Sequence, residues 1–209
     1  MKKKTFILGI GSHSKLIYNC LIKGKKKIKV DGFIYFKNKP NKISMIGKKY
    51  KLPIYDIKKI PLKSNIYIGI GDHILRGEIY NKIKQKFNFP NYISNNSLIA
   101  DGVKIGRGSI ILDGCILNYN SEISENCLIN TGSIIEHDVK IGNNCNISPG
   151  SIICGKTVIE DNCLIGAGSI IQDGIHIKKN SLIGSGSNVI NNVKSNSLLF
   201  GNPAKKKKK

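Results

Sequence analysis

The sequence predicts two architectures in one chain: a small Rossmann-like parallel α/β domain followed by a left-handed parallel β-helix of hexapeptide repeats. Three observations carry this reading. Every sixth residue from Ile93 to Val189 is a branched aliphatic. The residue four places after each of these is nearly always small or β-branched. Residues 1–90 lack this period and instead show apolar runs, glycine turns and helical spacing.

The six-residue series runs without insertion through Ile105, Leu117, Ile129, Ile141, Ile153, Ile165 and Ile177. An amphipathic helix places its apolar residues three and four apart, so this period excludes one. The companion column includes Ser109, Cys115, Cys127, Ser133, Cys145, Ser151 and Cys163. A narrow prism explains both columns. Large aliphatics stack along its axis, and small side chains fit where the backbone turns a corner. Gly, Asn and Asp, rich between the columns, tolerate turn conformations. Three faces make a coil of about 18 residues, giving between five and six coils. The expected division is an α/β domain over 1–90, the β-helix over 91–194, and a C-terminal extension with a basic tail over 195–209.

In the first domain, Lys4 to Ile10 reads as a strand entering the turn Gly9-Ile10-Gly11. A short helix follows over Ser14 to Lys23, then a strand over Ile28 to Tyr35. A third strand over Ser64 to Gly71 ends in Gly69-Ile70-Gly71, and Ile74 to Phe87 has helical spacing. Such units build an open parallel sheet that binds ligands at the carboxyl ends of its strands. Gly11 to His13 and Gly69 to His73 therefore fall beside one crevice. The segment lacks the third glycine of GxGxxG and an acid after the second strand, where Tyr35-Phe36 stand. This argues against a dinucleotide and leaves a backbone cradle for a phosphorylated sugar.

Net charge is +21. Such a balance suits nucleic acid, anionic lipid or phosphorylated small molecules. No nucleic-acid motif and no interleaving of aromatic with basic residues accompanies it. A solvated lysine surface and attraction of anionic substrates both account for it. The lysine run after Phe200-Gly201-Asn202-Pro203-Ala204 reads as a solvated end. None of the six cysteines has metal-ligand spacing. Cys115, Cys127, Cys145 and Cys163 read as small buried fillers. No apolar stretch approaches the ~20 residues that span a bilayer. The expectation is a cytoplasmic protein with reduced thiols, no membrane insertion and no metal.

Of the four histidines, His137 stands between Glu136 and Asp138. An adjacent carboxylate can fix the tautomer of an imidazole that acts as general base. A surface histidine at a coil corner is the competing reading. His176 reads as a surface residue without a carboxylate partner nearby. His13 and His73, at strand ends, could cap helices or touch ligand.

Gly9-Ile10-Gly11-Ser12-His13-Ser14-Lys15, Ile68-Gly69-Ile70-Gly71-Asp72, Ile134 to Gly142 and Phe200 to Lys205 together carry a resemblance. The chain resembles sugar acetyltransferases of the sialic acid O-acetyltransferase type. It is especially similar to bacterial enzymes that N-acetylate a UDP-4-amino-sugar. The resemblance implies acetyl-CoA as co-substrate and a nucleotide-linked amino-sugar as acceptor, in surface glycan biosynthesis. It implies His137 as general base, Asp138 as the carboxylate raising its basicity, and Asn130 as a polar neighbour. Gly155 matches a backbone N–H that meets the thioester carbonyl, and Asn146, Ala167 and Ser185 line the coenzyme A groove. Gly11, Ser12, His13 and Gly71 fall on the nucleotide-sugar side. It also implies a homotrimer with active sites between adjacent β-helices. Two departures stand out: Tyr35-Phe36 replace acidic residues common in relatives, and Asn146 stands where many have His.

Three alternatives stay open. A sugar or sialic acid O-acetyltransferase needs the same base. A β-helix metalloenzyme of the γ-carbonic-anhydrase type needs three convergent histidines, and this β-helix has two. A non-catalytic protein would use the basic surface for binding.

Overall fold

The computed structural model describes residues 3–24, 27–36 and 50–206. The chain divides into two compact units, Met1–Pro90 and Asn91–Lys209.

In the first unit, β1 (Thr5–Leu8), β2 (Gly32–Tyr35), β3 (Ile54–Asp56) and β4 (Asn65–Ile68) form a sheet in the order β3-β2-β1-β4. Every pairing in it is parallel. Helices α1 (Ser12–Lys23) and α2 (His73–Ile83) follow β1 and β4. Ile7, Leu8, Phe33, Ile34 and Ile66 are fully buried. Burial on both faces is why these strands read as apolar runs rather than as alternation. Strand order reverses beside β1, so the carboxyl ends of β1 and β4 flank a crevice at the switch point.

Backbone approach there is close. A Cβ on Gly9 would lie 2.6 Å from Ser14 Oγ and 2.8 Å from the Gly69 carbonyl oxygen. Gly9 also has φ +119°, a conformation closed to ordinary L residues. Buried Ser14 completes the junction by donating its hydroxyl to the Gly69 carbonyl at 2.9 Å.

Several elements differ from expectation, β1 and β4 being shorter than the runs Lys4 to Ile10 and Ser64 to Gly71. Helix α1 begins two residues earlier, at Ser12. Strand β2 begins at Gly32 rather than Ile28, because Ile28 donates its N–H back to Leu21 as part of the connection. Helix α2 ends at Ile83, and Lys86 then turns back to the Ile83 carbonyl. Strand β3 was not expected, because three residues after Pro53 carry no periodic signal.

The second unit is a parallel β-solenoid of seventeen two-residue strands, from Tyr92–Ile93 to Asn188–Val189. Strands up to Ile170–Ile171 pair with the one 18 residues on, as in Ile129 with Ile147 and Ile135 with Ile153, while the last coil is shorter and pairs Leu182–Ile183 with Leu198–Leu199, 16 residues on. Three sheets result, with strands assigned in rotation. The sixth-residue aliphatics from Ile111 to Val189 are buried along the axis. The companion column is small for a further reason. Ser133 Oγ donates to the Ser148 carbonyl at 2.9 Å, and Cys127 Sγ to the Gly142 carbonyl at 3.0 Å. These side chains satisfy buried corner carbonyls of the neighbouring coil. The residue just before each of them sits in the left-handed region: Gly114, Asn126, Gly132, Asp138 and Asn144 have φ between 56 and 72°. This is why Gly, Asn and Asp recur there.

Of the basic tail, Lys205 and Lys206 are exposed as expected, and residues 207–209 lie outside the described residues. Lys205–Lys206 pairs antiparallel with Leu199–Phe200.

Candidate active site

His137 and Asp138 occupy one corner of the prism, directly after the strand Ile134–Ile135. The left-handed backbone at Asp138, φ 60°, turns its carboxylate back toward the preceding ring. His137 Nδ1 and Asp138 Oδ2 are 3.0 Å apart. With Nδ1–H donating to the carboxylate, Nε2 is left bare to accept a proton. Asn120 lies one coil earlier and donates its Nδ2 to Asp138 Oδ1 at 2.9 Å. The Asn120 hydrogen bond, then the one from His137, holds the Asp138 carboxyl below the usual carboxylate range. The pair is partly exposed, 51% for His137 and 41% for Asp138.

Gly155 stands one coil after His137 in the same column. A Cβ there would lie 2.8 Å from His137 Nε2 and 2.9 Å from Cε1. The imidazole thus packs over a bare Cα, and only glycine leaves it that place. The flanking N–H groups of Cys154 and Lys156 bond Ile171 and His137 carbonyls. Asp173 continues the column, with Oδ1 3.3 Å from the same hypothetical Cβ. Burial raises the Cys154 thiol, and Asp173 and Glu136 raise it further, which disfavours a thiolate nucleophile.

Asn130, Ala167 and Ser185 are not brought to His137 within one chain. Asn130 follows the strand Leu128–Ile129, Ala167 follows Leu164–Ile165 and Ser185 follows Leu182–Ile183. All three strands belong to one sheet, whereas the strand before His137 belongs to the next. These residues therefore line a different edge of the prism. Asn146 lies within that first sheet, 9% exposed, with its Oδ1 buried and accepting no hydrogen bond among the described residues.

Gly11, Ser12, His13 and Gly71 line a pocket of about 330 Å³ in the first unit, together with Gly9, Ile10, Gly69 and Ile70. The N-terminus of α1 opens into it with no side chain capping the helix. Its amide groups suit an anion. His13 lies against Gly71. Burial, and then Arg76, lowers the His13 pKa, which favours the neutral ring. His73 is lowered by the same two causes, partly offset by Asp72.

His176 has a carboxylate partner after all. Its Nε2 lies 2.8 Å from Glu160 Oε1. The two are 16 residues apart, adjacent only because the chain completes a coil between them. A step of one full coil, 18 residues, likewise hid Asn120 and Asp173 from sequence reasoning. Stepping one coil from Asp138 and from Gly155 would have found both. Among the described residues, no three His, Cys, Asp or Glu side chains converge as ligands for a metal.

The family described as bacterial transferase hexapeptide (six repeats) matches residues 120–155, and the hexapeptide repeat of succinyl-transferase matches 156–190. Together the two matches cover residues 120–190 of the solenoid. His137 and Gly155 both fall in the first match. Among solved structures, this chain is similar over its whole length to PerB from Caulobacter crescentus, solved with CoA and GDP-perosamine. The identity is 23%, the TM-score 0.86, and 100% of this chain and 99% of that one are covered. The acetyltransferase domain of PglB from Neisseria gonorrhoeae matches at 19% identity and TM-score 0.85, over 98% and 100%. WeeI from Acinetobacter baumannii matches at 22% and 0.81, over 98% and 100%. At these identities the likeness speaks to fold. No curated protein matches the sequence.

Proposed function

We propose that this hexapeptide-repeat chain is an acetyl-CoA-dependent acetyltransferase. It transfers acetyl to the amino group of a nucleotide-linked amino-sugar, of the UDP-4-amino-sugar type, for surface glycan biosynthesis. The observation that carries the reading is the His137–Asp138 pair at 3.0 Å, its Nε2 over Gly155, inside a transferase repeat. PerB, of like fold, is solved with CoA and a nucleotide amino-sugar.

In the proposed reaction the acceptor nitrogen attacks the thioester carbonyl directly. His137 Nε2 takes the proton as the C–N bond forms, and Asp138 stabilises the resulting imidazolium. The Gly155 N–H faces the developing oxyanion, an interaction that can reach a few kcal/mol. As the C–S bond breaks, His137 returns the proton to the departing coenzyme A thiolate. Asn146, Ala167 and Ser185 line the coenzyme A groove, and the orphaned Asn146 Oδ1 offers an acceptor to an amide N–H. The pocket of Gly11, Ser12, His13 and Gly71 holds the nucleotide sugar, with its phosphates at the α1 N-terminus. Tyr35-Phe36 leave the choice of base to other contacts.

The solenoid winds left-handed and assembles as a trimer. Its middle sheet supports this by presenting Ile116, Ile134, Ile152 and Ile170 outward in one row. The sheet that follows carries Lys104, Glu122, Lys140, Val158 and His176 at the same positions. A trimer would set Asn130 of one subunit against His137 of the next and complete the site. No helix among the described residues is long and apolar enough to cross a membrane, in keeping with work in the cytoplasm.

A thiol-release assay with acetyl-CoA across UDP- and GDP-linked 4-amino-sugars and sialic acid tests the reading. Release with a nucleotide amino-sugar is the expected result. Release with sialic acid alone would move the assignment to O-acetylation.

A further inference from the structure

The positive charge is divided very unevenly. Residues 1–90 hold 22 Lys and Arg against 4 Asp and Glu, a net +18. Residues 91–209 hold 12 against 9, a net +3 that includes the five terminal lysines. A coding bias toward lysine would act on both units alike, so it does not explain the split. A single nucleotide sugar, carrying about two negative charges, does not call for +18 either.

Topology gathers five exposed lysines of this unit on one end of the sheet. The crevice at the carboxyl ends of β1 and β4 is lined by glycines, Ile10, Ile70, Ser12 and His13, with no lysine. The opposite end, where β1, β2 and β4 begin, carries exposed Lys3, Lys4, Lys29, Lys63 and Lys86. Backbone bonds hold three of these together. Asn65 N–H donates to the Lys4 carbonyl at 2.9 Å, and Lys63 N–H to the Lys86 carbonyl at 2.8 Å. Leu62, next to Lys63 in the chain, is 71% exposed, the most exposed large hydrophobic among the described residues. Asp31, on the same end, accepts the Thr5 N–H at 2.9 Å and lies 4.0 Å from Lys29.

We infer that this end of the first unit is a docking surface for anionic lipid headgroups, with Leu62 as a shallow apolar contact. Lysine ammonium groups are strongly hydrated point charges suited to a mobile headgroup layer. The unit's one arginine, Arg76, is 3% exposed, so no guanidinium fork is offered to a nucleic-acid backbone. No aromatic of this unit is among the exposed large side chains, so no platform for stacked bases exists among the described residues. The surface lies away from the glycine pocket. Docking through this end leaves the glycine pocket at the other end of the sheet open to soluble substrate.

Co-sedimentation of the full chain tests this with vesicles of pure phosphatidylcholine and of phosphatidylcholine mixed with phosphatidylglycerol. Binding is expected only to the mixed vesicles and is released by salt. Each lysine near such a surface contributes about five-fold in partitioning. The quadruple variant K3Q/K4Q/K63Q/K86Q should therefore bind about a hundred-fold more weakly or worse at an unchanged thermal midpoint. Leu62→Ser should bind a few-fold more weakly. Equal binding to both vesicle types overturns the inference, as does a folded quadruple variant that binds like wild type. Tight binding to single-stranded DNA or transfer RNA, with none to mixed vesicles, would instead make the surface a nucleic-acid site. All these readouts are independent of acetyl transfer, so they stand or fall apart from the proposed activity.

Discussion

In the proposed reaction three residues set the chemistry of the corner: His137 supplies the base, Asp138 orients it and Gly155 gives it room. His137→Ala should lower kcat by about 10²–10⁴-fold with the fold intact, measured by thiol release alongside circular dichroism. Gly155→Ala should act through displacement. Its methyl would stand 2.8 Å from Nε2, so kcat should fall while the thermal midpoint stays near wild type. Asn120 is the largest cause of the lowered Asp138 pKa. Asn120→Ala should therefore raise that pKa toward the ordinary carboxylate value, read by carbon NMR titration. In the wild type the Asp138 carboxylate persists further into acid. What it adds to stability is present above the unfolded carboxylate value and lost as pH falls through the folded one. The pairing of His137 with Asp138 was legible because the two are neighbours in sequence. Asn120 and Glu160 were not, because their partners are about one coil away.

The repeating corner dominates at the scale of elements. Most corners place Gly, Asn or Asp in the left-handed region, but Lys156 sits there with φ 59°. A left-handed residue other than Gly or Asn costs about 1–2 kcal/mol. Lys156→Gly should therefore raise the unfolding midpoint, opposite to the usual effect of glycine. The interior behaves conventionally: Ile153 is fully buried, and Ile153→Ala should cost about 2–5 kcal/mol by chemical denaturation. The six-residue column made the solenoid readable from sequence, since stacking repeats one requirement seventeen times. The α/β unit was harder. Strand Ile54–Asp56 has only three residues and is specified by its place beside β2, which local pattern does not encode. The serine and cysteine column was read as a matter of size, and its hydrogen bonds emerged only once neighbouring coils were in place.

For the whole molecule, the distribution of Asn130 and His137 over two edges has a direct experimental consequence. If a trimer completes each site from two subunits, His137→Ala and Asn130→Ala variants should each be impaired alone. Refolded together in equal amounts, they should regain about a quarter of the two-residue sites. Activity measured across mixing ratios checks this, and a flat response would place each site within one chain.

The coil length also gives the solenoid something like a reading frame. Inserting one residue after Ile135 would point every later aliphatic outward. Inserting six would keep the aliphatics inside but carry Gly155 around to another edge, out from under His137. Only changes of 18 residues are silent in both respects. Natural length variation in such a chain should therefore come in whole coils, and any shorter insertion should be confined to loops that leave the prism at a corner and return to it.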